Sequence, residues 1–292
     1  MIISINQGVT RMPAWRMAQP VDFSLLDGEH IAIVGGNASG KSMFVDIITS
    51  AHPLLMKNVE YDFSPKTSKL TSDNIKYITF RDCYGGDSDR NYYLQQRWNQ
   101  HDIDENTPTV EKLLDEAYRV TGADTEERRA MKEHLYDIFN LRYLLDKYII
   151  LLSSGELRKF QLAKTLMGDP RVLIMDNPFI GLDKETRQQL RELLEQISKE
   201  RALQIILVLA KDEDIPHFIT HVVEVKDMVV MPKVGREEYL SAKSKEEKKE
   251  NKEPLSQEFK DIIINMPYNN NEYNTQEVVR MNNVCIRYGE RS

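Results

Sequence analysis

The stretch "GGNASGKS", Gly35–Ser42, decides how the rest of this chain is read. It fits GxxxxGK[ST] and lies between an apolar run, Ile31 to Val34, that reads as a buried strand and a segment, "MFVDIITS", whose Phe44, Val45, Ile47 and Ile48 recur at helical spacing. At ordinary residue frequencies the pattern arises by accident in about one chain of this length in a hundred. Strand, glycine-rich turn and helix start, in that order, give it a mechanism. Backbone N–H groups along the loop and at the helix N-terminus can surround a β-phosphate, Lys41 can reach the β and γ oxygens, and the Ser42 hydroxyl can ligate Mg²⁺.

Further along, "RVLIMD" reads as an apolar strand ending in Asp176, which beside the phosphate loop would hold Mg²⁺ through water. Taken alone, an acid after a strand is a surface turn; its meaning comes from partnership with Gly35–Ser42. Between them, residues 109 to 147 carry apolar positions three and four apart, including "RYLLDKYI", and predict a small helical subdomain. "DKETRQQLRELLEQISKE" predicts an amphipathic helix with Leu190, Leu193, Leu194 and Ile197 on one face, followed by the buried strand "LQIILVLA". Strand, helix, strand alternation predicts a parallel sheet.

Composition narrows the setting. With 292 residues, 41% of them hydrophobic, the chain can bury a sizeable core, and a net charge of −7 carries no basic field for nucleic acid, so none is expected as a partner. Cys83 and Cys285 form no CxxC pair, which suggests neither a disulfide framework nor a zinc site and fits a reducing cytoplasm. No run approaches the roughly 18 apolar residues of a membrane span, so work at the inner face of a membrane would require a partner. Residues 241 to 253, "SAKSKEEKKENKE", read as a solvated linker or helix.

The stretch "LLSSGELRKF", with Ser153 placed 23 residues before Asp176, is where the chain resembles the ABC ATPase family, whose signature reads LSGGQ or LSGGE at this distance. Ser153, Ser154, Gly155 and Glu156 also read as an ordinary helix start with a serine N-cap, and both readings can hold. "GLD" at 181 to 183 resembles the family's D-loop, with Asp183 as its acid. The resemblance implies an α/β fold: a P-loop NTPase with a parallel-sheet core, an antiparallel β subdomain and an inserted helical subdomain at about 97–165. The 112 residues from Lys41 to Ser153 leave no room for a long coiled coil. It also implies ATP and Mg²⁺ as cofactors, with Gly35, Gly36, Asn37, Ala38, Ser39, Gly40, Lys41, Ser42 and Met43 on the nucleotide. Ser42, Asp176 and a Q-loop glutamine would stand around the metal. The family's glutamine follows a strand of the form Y-h-x-Q, where h is apolar, and "YYLQQ" offers Gln96, with Gln95 as alternative. Trp15 is the aromatic residue available for stacking on adenine, or else a core tryptophan.

Several positions depart from the family. Asn177 stands where the family has a glutamate acting as general base, and an amide cannot take a proton from water. Ala210 stands where it has a switch histidine; His217 and His221 come later and read as ordinary loop and strand positions. Ser154 replaces a signature glycine, and Met43 a hydroxyl residue. Together these imply a site that binds Mg-ATP and hydrolyses it slowly or not at all.

"VVRMNNVCIRYGERS" resembles the opening strand of another cassette, with Tyr288 as its adenine-stacking residue. The expected organisation is therefore a cassette at 1–235, a charged linker at 236–276, and the start of a second cassette at 277–292. Partners would be that second cassette, paired head to tail, and a separate membrane permease; a homodimer is open to the fragment. "YYLQQRWN", "DNPFIGLD" and "ITHVVEV" resemble the tandem-cassette proteins named for molybdate transport or photorepair. The alternative is a soluble tandem cassette protein acting in translation, repair or regulation. Against a ribosome-binding arm, residues 241–260 hold six lysines against five glutamates.

Overall fold

The structure is a computed structural model that describes residues 1–56, 58–80, 107–200, 202–211 and 214–250. A compact unit runs from Met1 to Lys243, and a second from Ser244 to Ser292, of which only the stretch up to Glu250 is described.

Three long apolar runs form the centre. β3 (Ile31–Val34), β6 (Val172–Asp176) and β7 (Gln204–Leu209) are buried along nearly their whole length. That is why they read as continuous rather than alternating hydrophobic sequence. They lie in the order β8-β3-β7-β6-β5, all parallel, with β5 at Ile75–Thr79 and β8 at His221–Lys226. β9 (Val229–Val230) and β10 (Val234–Gly235) add to β8 in antiparallel fashion.

Alternate residues of each strand face opposite layers. Ile31, Ile33, Val172, Ile174, Ile206 and Val208 join one hydrophobic cluster with α1 (Lys41–Ile48) and an antiparallel sheet. That sheet has the order β2-β1-β4, from Val21–Leu25, Ile3–Gly8 and Val59–Tyr61. Ala32, Val34, Leu173, Met175, Ile205 and Leu207 face a second cluster with the longer helices. Each fully buried Leu, Ile or Val contributes roughly 1.5–3 kcal/mol, so the sheet is held from both sides and its carboxyl edge is a rigid platform.

After the short α2 (Thr71–Asn74), the helical segment contains α3 (Val110–Val120) and α4 (Glu126–Ile138), packed on α5 (Ser154–Leu166). α4 ends where Asn140 takes a left-handed φ of 48°, a conformation asparagine tolerates. "RYLLDKYI", expected as helix, instead forms a 3₁₀ turn at Arg142–Leu144. The chain then turns at Leu145 and Asp146, Tyr148 bridges Thr109, the Lys147 carbonyl accepts from the Val110 N–H, and a second 3₁₀ turn follows at Ile149–Leu151. α6 (Lys184–Glu200) buries Leu190, Leu193, Leu194 and Ile197, the face its periodicity predicts.

The segment expected as a linker from 236 opens as a helix, α7 (Arg236–Glu250). Its first part belongs to the cassette: Tyr239 is buried and Lys243 pairs with Glu224 at 3.0 Å. Of the residues proposed from the sequence, Gln95, Gln96, Cys83, Cys285 and Tyr288 lie outside the described residues.

Candidate nucleotide-binding site

The loop Gly35–Ser42 leaves the carboxyl end of β3 and enters α1 directly, so its backbone amides crown a helix N-terminus. Two glycines are required by space as well as by backbone. A Cβ on Gly35 would collide with the Val225 carbonyl, and one on Gly40, whose φ is 107°, would stand 2.9 Å from the Met228 sulfur. Ala38 also takes a positive φ, 61°. The resulting curl leaves Gly36, Asn37, Ala38 and Ser42 exposed and Lys41 buried, with Met43 half-buried against the α1 cluster.

Inside the curl, Lys41 Nζ donates to the Gly35 and Gly36 carbonyls at 2.6 and 2.7 Å. Burial lowers its pKa, and the Asp176 carboxylate works in the opposite direction. Ser39 Oγ is buried without a protein hydrogen-bond partner. A cradle with no space for a side chain at Gly35 or Gly40, an ammonium inside it and an orphaned hydroxyl beside it fit a phosphate group. No cluster of three or more His, Cys, Asp or Glu side chains among the described residues could hold a metal alone. Mg²⁺ would therefore share its ligands with the phosphates, through Ser42 and Asp176.

A brace that the sequence reading missed holds the loop from outside. The β8–β9 turn consists of Asp227 and Met228, both left-handed at φ 50° and 62°, the geometry of a type I′ hairpin. Methionine is an unusual residue there. Its N–H donates to the Ser39 carbonyl at 2.9 Å and its own carbonyl accepts from Ala18 N–H at 2.8 Å. Only the short turn between two valine-rich runs hints at this in the sequence.

Asp176 ends β6 at the same sheet edge, paired in register with Thr79 on one side and Val208 on the other. Its Oδ1 accepts from Asn177 Nδ2 at 2.6 Å and its Oδ2 from the Tyr77 hydroxyl at 3.2 Å. Asn177 turns left-handed, φ 49°, with its N–H on the Val208 carbonyl at 2.8 Å. Thr79, Phe80, Arg158, Asp176, Asn177 and Ile180 line a cavity of about 80 Å³, room enough for water. Arg158 lies over the Phe80 ring at 4.9 Å and donates to the Ile180 carbonyl, joining α5 to the loop after Asn177.

On the side away from β7, β6 pairs with β5, whose Tyr77-Ile78-Thr79 has the Y-h-x form. The next residue, at the cavity, is Phe80 rather than glutamine. Ala210 directly follows β7, one step beyond the Leu209–Val34 pair, and so lies beside the start of the phosphate loop. His221 pairs with Ile31 at the opposite end of β3, and His217 contacts Arg236 at 3.4 Å, so neither stands at this edge.

Trp15 is 40% exposed, which removes it from the core, and its ring tilts against His52 at 4.4 Å. Met17 reaches the loop: a Cβ on Gly40 would meet its methyl at 3.1 Å.

Ser153 caps α5 in a reciprocal capping box: its Oγ accepts from the Glu156 N–H, and Glu156 accepts from the Ser153 N–H at 2.8 Å. Burial pushes the Glu156 carboxyl up, but the Ser153 amide and Lys147, at 2.9 Å, outweigh it and leave its pKa lowered. Ser153 and Ser154 are exposed, and a Cβ on Gly155 would press on Thr186 at 2.8 Å. Asp183 accepts from the Thr186 N–H at 3.0 Å and its hydroxyl at 2.7 Å, which caps α6 and lowers the Asp183 pKa.

A glycine-lined loop between a central parallel strand and a helix, with an aspartate at the carboxyl end of a strand one removed, defines a P-loop nucleotide-binding fold. The sequence profile of the ABC transporter family matches residues 18–180, and the chain belongs to that family, whose cassettes bind ATP with Mg²⁺. It is 30% identical over 277 residues to an uncharacterized ABC transporter ATP-binding protein of Schizosaccharomyces pombe, covering 93% of this chain and 55% of that protein. To the ABC transporter ATP-binding protein ModF of Escherichia coli it is 29% identical over 243 residues, covering 82% and 45%. The chain thus spans about half the length of these relatives. A dimeric ATP-binding cassette solved with ADP and Pi shares the fold, with a TM-score of 0.56, 19% identity, and coverage of 81% of this chain and 99% of that one. No helix among the described residues is long and apolar enough to cross a membrane.

Proposed function

We propose that this chain is the first cassette of a tandem pair in a transporter-type ATPase, and that its own site holds Mg-ATP while hydrolysing it slowly or not at all. The observation that carries the reading is the pairing of an intact phosphate cradle and a retained Asp176 with an amide, Asn177, at the position next to it. In this reading Lys41 and the loop amides bind the β and γ phosphates, and Ser42 and Asp176 hold Mg²⁺. Asn177 orients water without accepting its proton. Bound nucleotide then favours the closed pair by its differential affinity for that state.

Ser153, Ser154, Gly155 and Glu156 are exposed or half-exposed at a helix N-terminus, where they would serve the nucleotide of the facing cassette, and Asp183 would lie at the same interface. Ala210 leaves the γ-phosphate without a histidine contact. The extra length of the relatives supports a second cassette, and the family's transporter name supports a membrane permease as partner. Gln96 remains the proposed Q-loop residue and Trp15 the adenine platform. Equilibrium binding of a non-hydrolysable ATP analogue in Mg²⁺ tests the site. The wild-type chain is expected to bind and Lys41→Ala to lose binding, while Ser153→Arg keeps binding but loses nucleotide-dependent pairing. Unchanged binding by Lys41→Ala contradicts the proposal.

A further inference from the structure

We infer that Asn177 and Tyr77 are positioning residues that aim the Asp176 carboxylate at Mg²⁺, so that the site is built to retain nucleotide rather than merely deprived of a base. This rests on reading Gly35–Ser42 and Asp176 as the Mg-nucleotide site. The two donors approach one carboxylate from different elements: the Asn177 amide to Oδ1 at 2.6 Å, and the Tyr77 hydroxyl, from the neighbouring strand, to Oδ2 at 3.2 Å.

Strand register makes the second contact possible. Tyr77 is paired with Ile174 and Thr79 with Asp176, so Tyr77 lies on the two-residue diagonal from Asp176, within reach of a long aromatic side chain. Backbone geometry makes the first. At φ 49°, with its N–H on Val208, Asn177 folds its short side chain back on the preceding residue, and asparagine is among the few residues that accept this conformation readily.

A carboxylate only accepts, so the amide must present its N–H, and a glutamate at 177 could not take this role. The two bonds use about half of the roughly four lone-pair sites on the carboxylate, leaving the rest for water on the metal. Fixing the carboxylate in advance removes ordering cost from the binding step.

The test uses the full chain and a fluorescent non-hydrolysable ATP analogue, titrated in excess Mg²⁺ and again in excess EDTA. Tyr77→Phe removes one donor, and Asn177→Gly removes the other without straining the left-handed turn. Each is expected to raise Kd about 10-fold in Mg²⁺ and to leave Kd in EDTA unchanged, with thermal unfolding confirming a folded chain. A Kd unchanged in Mg²⁺, or raised equally in both conditions as a merely structural role would do, overturns the inference alone. No binding by the wild-type chain overturns both the inference and the reading beneath it. Rapid hydrolysis by the wild-type chain overturns both the slow-site reading and the retention inferred here, while a Mg²⁺-specific binding loss in the variants still assigns Tyr77 and Asn177 their positioning role.

Discussion

Asn177→Glu puts a carboxylate where an amide now donates. The 2.6 Å bond to Asp176 is lost, and a bond to a charged acceptor contributes about 1.5–3 kcal/mol. Two carboxylates about 4 Å apart repel by about 1 kcal/mol under water-like screening and about 4 kcal/mol at an effective dielectric of 20. The left-handed turn at 177 adds on the order of 1 kcal/mol for a residue that does not favour it. Asn177 is half-buried, so the low end of each effect applies and the cassette loses about 3.5 kcal/mol. For a domain of this size that lowers Tm by about 7–14 °C. Mg-ATP should recover part of the loss, because the metal's charge offsets the repulsion. The same change supplies the missing base, worth about 10²–10⁴ in rate, and the low end is expected because Ala210 still offers no γ-phosphate contact. Thermal unfolding in EDTA and in Mg-ATP, with single-turnover hydrolysis on the same samples, reads both effects. An unchanged Tm together with an unchanged rate would refute the reasoning, since neither the donor nor the base would then matter.

Gly40→Ala places a Cβ against the Met228 sulfur in a positive-φ position; strain of about 1–3 kcal/mol should weaken Mg-ATP binding in calorimetry while circular dichroism stays native. Ser153→Ala removes the cap on α5 and should cost about 1 kcal/mol, read as a modest fall in Tm with Mg-ATP affinity at the chain's own loop unaltered. His30 gives a pH dependence. Burial lowers its pKa from the ordinary 6.5, and its Nδ1 accepts from the Ile205 N–H at 3.1 Å. The unfolded chain therefore binds the proton first, so this contribution is full above about pH 6.5 and is lost as pH falls towards the lower folded value. His30→Asn keeps an acceptor that does not titrate, and its Tm should vary less between pH 7 and pH 5.5 than that of the wild type; an identical slope contradicts the assignment.

The features legible in the sequence are those carried by contiguous residues. The phosphate loop sits between its own strand and helix, Ser153 starts a helix, and the leucines of α6 repeat on one face, so local pattern and final structure agree. What escapes depends on pairing across the chain. That β5 lies beside β6, bringing Tyr77 and Phe80 to Asp176, follows from a register between residues about a hundred positions apart. The Y-h-x-Q form is met in the sequence by the stretch ending at Gln96, whereas β5 reads Tyr77-Ile78-Thr79-Phe80 and carries no glutamine to mark it. The Met228 brace is hidden because its left-handed turn uses a residue that carries no turn signal. "RYLLDKYI" has helical spacing, but the bridge between Tyr148 and Thr109 interrupts it, leaving a 3₁₀ turn on either side.

Whether this site holds Mg-ATP without turning it over is read by single-turnover chemistry on the wild-type chain. With ATP limiting and Mg²⁺ present, the account predicts that bound nucleotide is recovered as ATP long after Asn177→Glu has converted its own. Stoichiometric ADP and Pi from the wild type at the rate of that variant would contradict it.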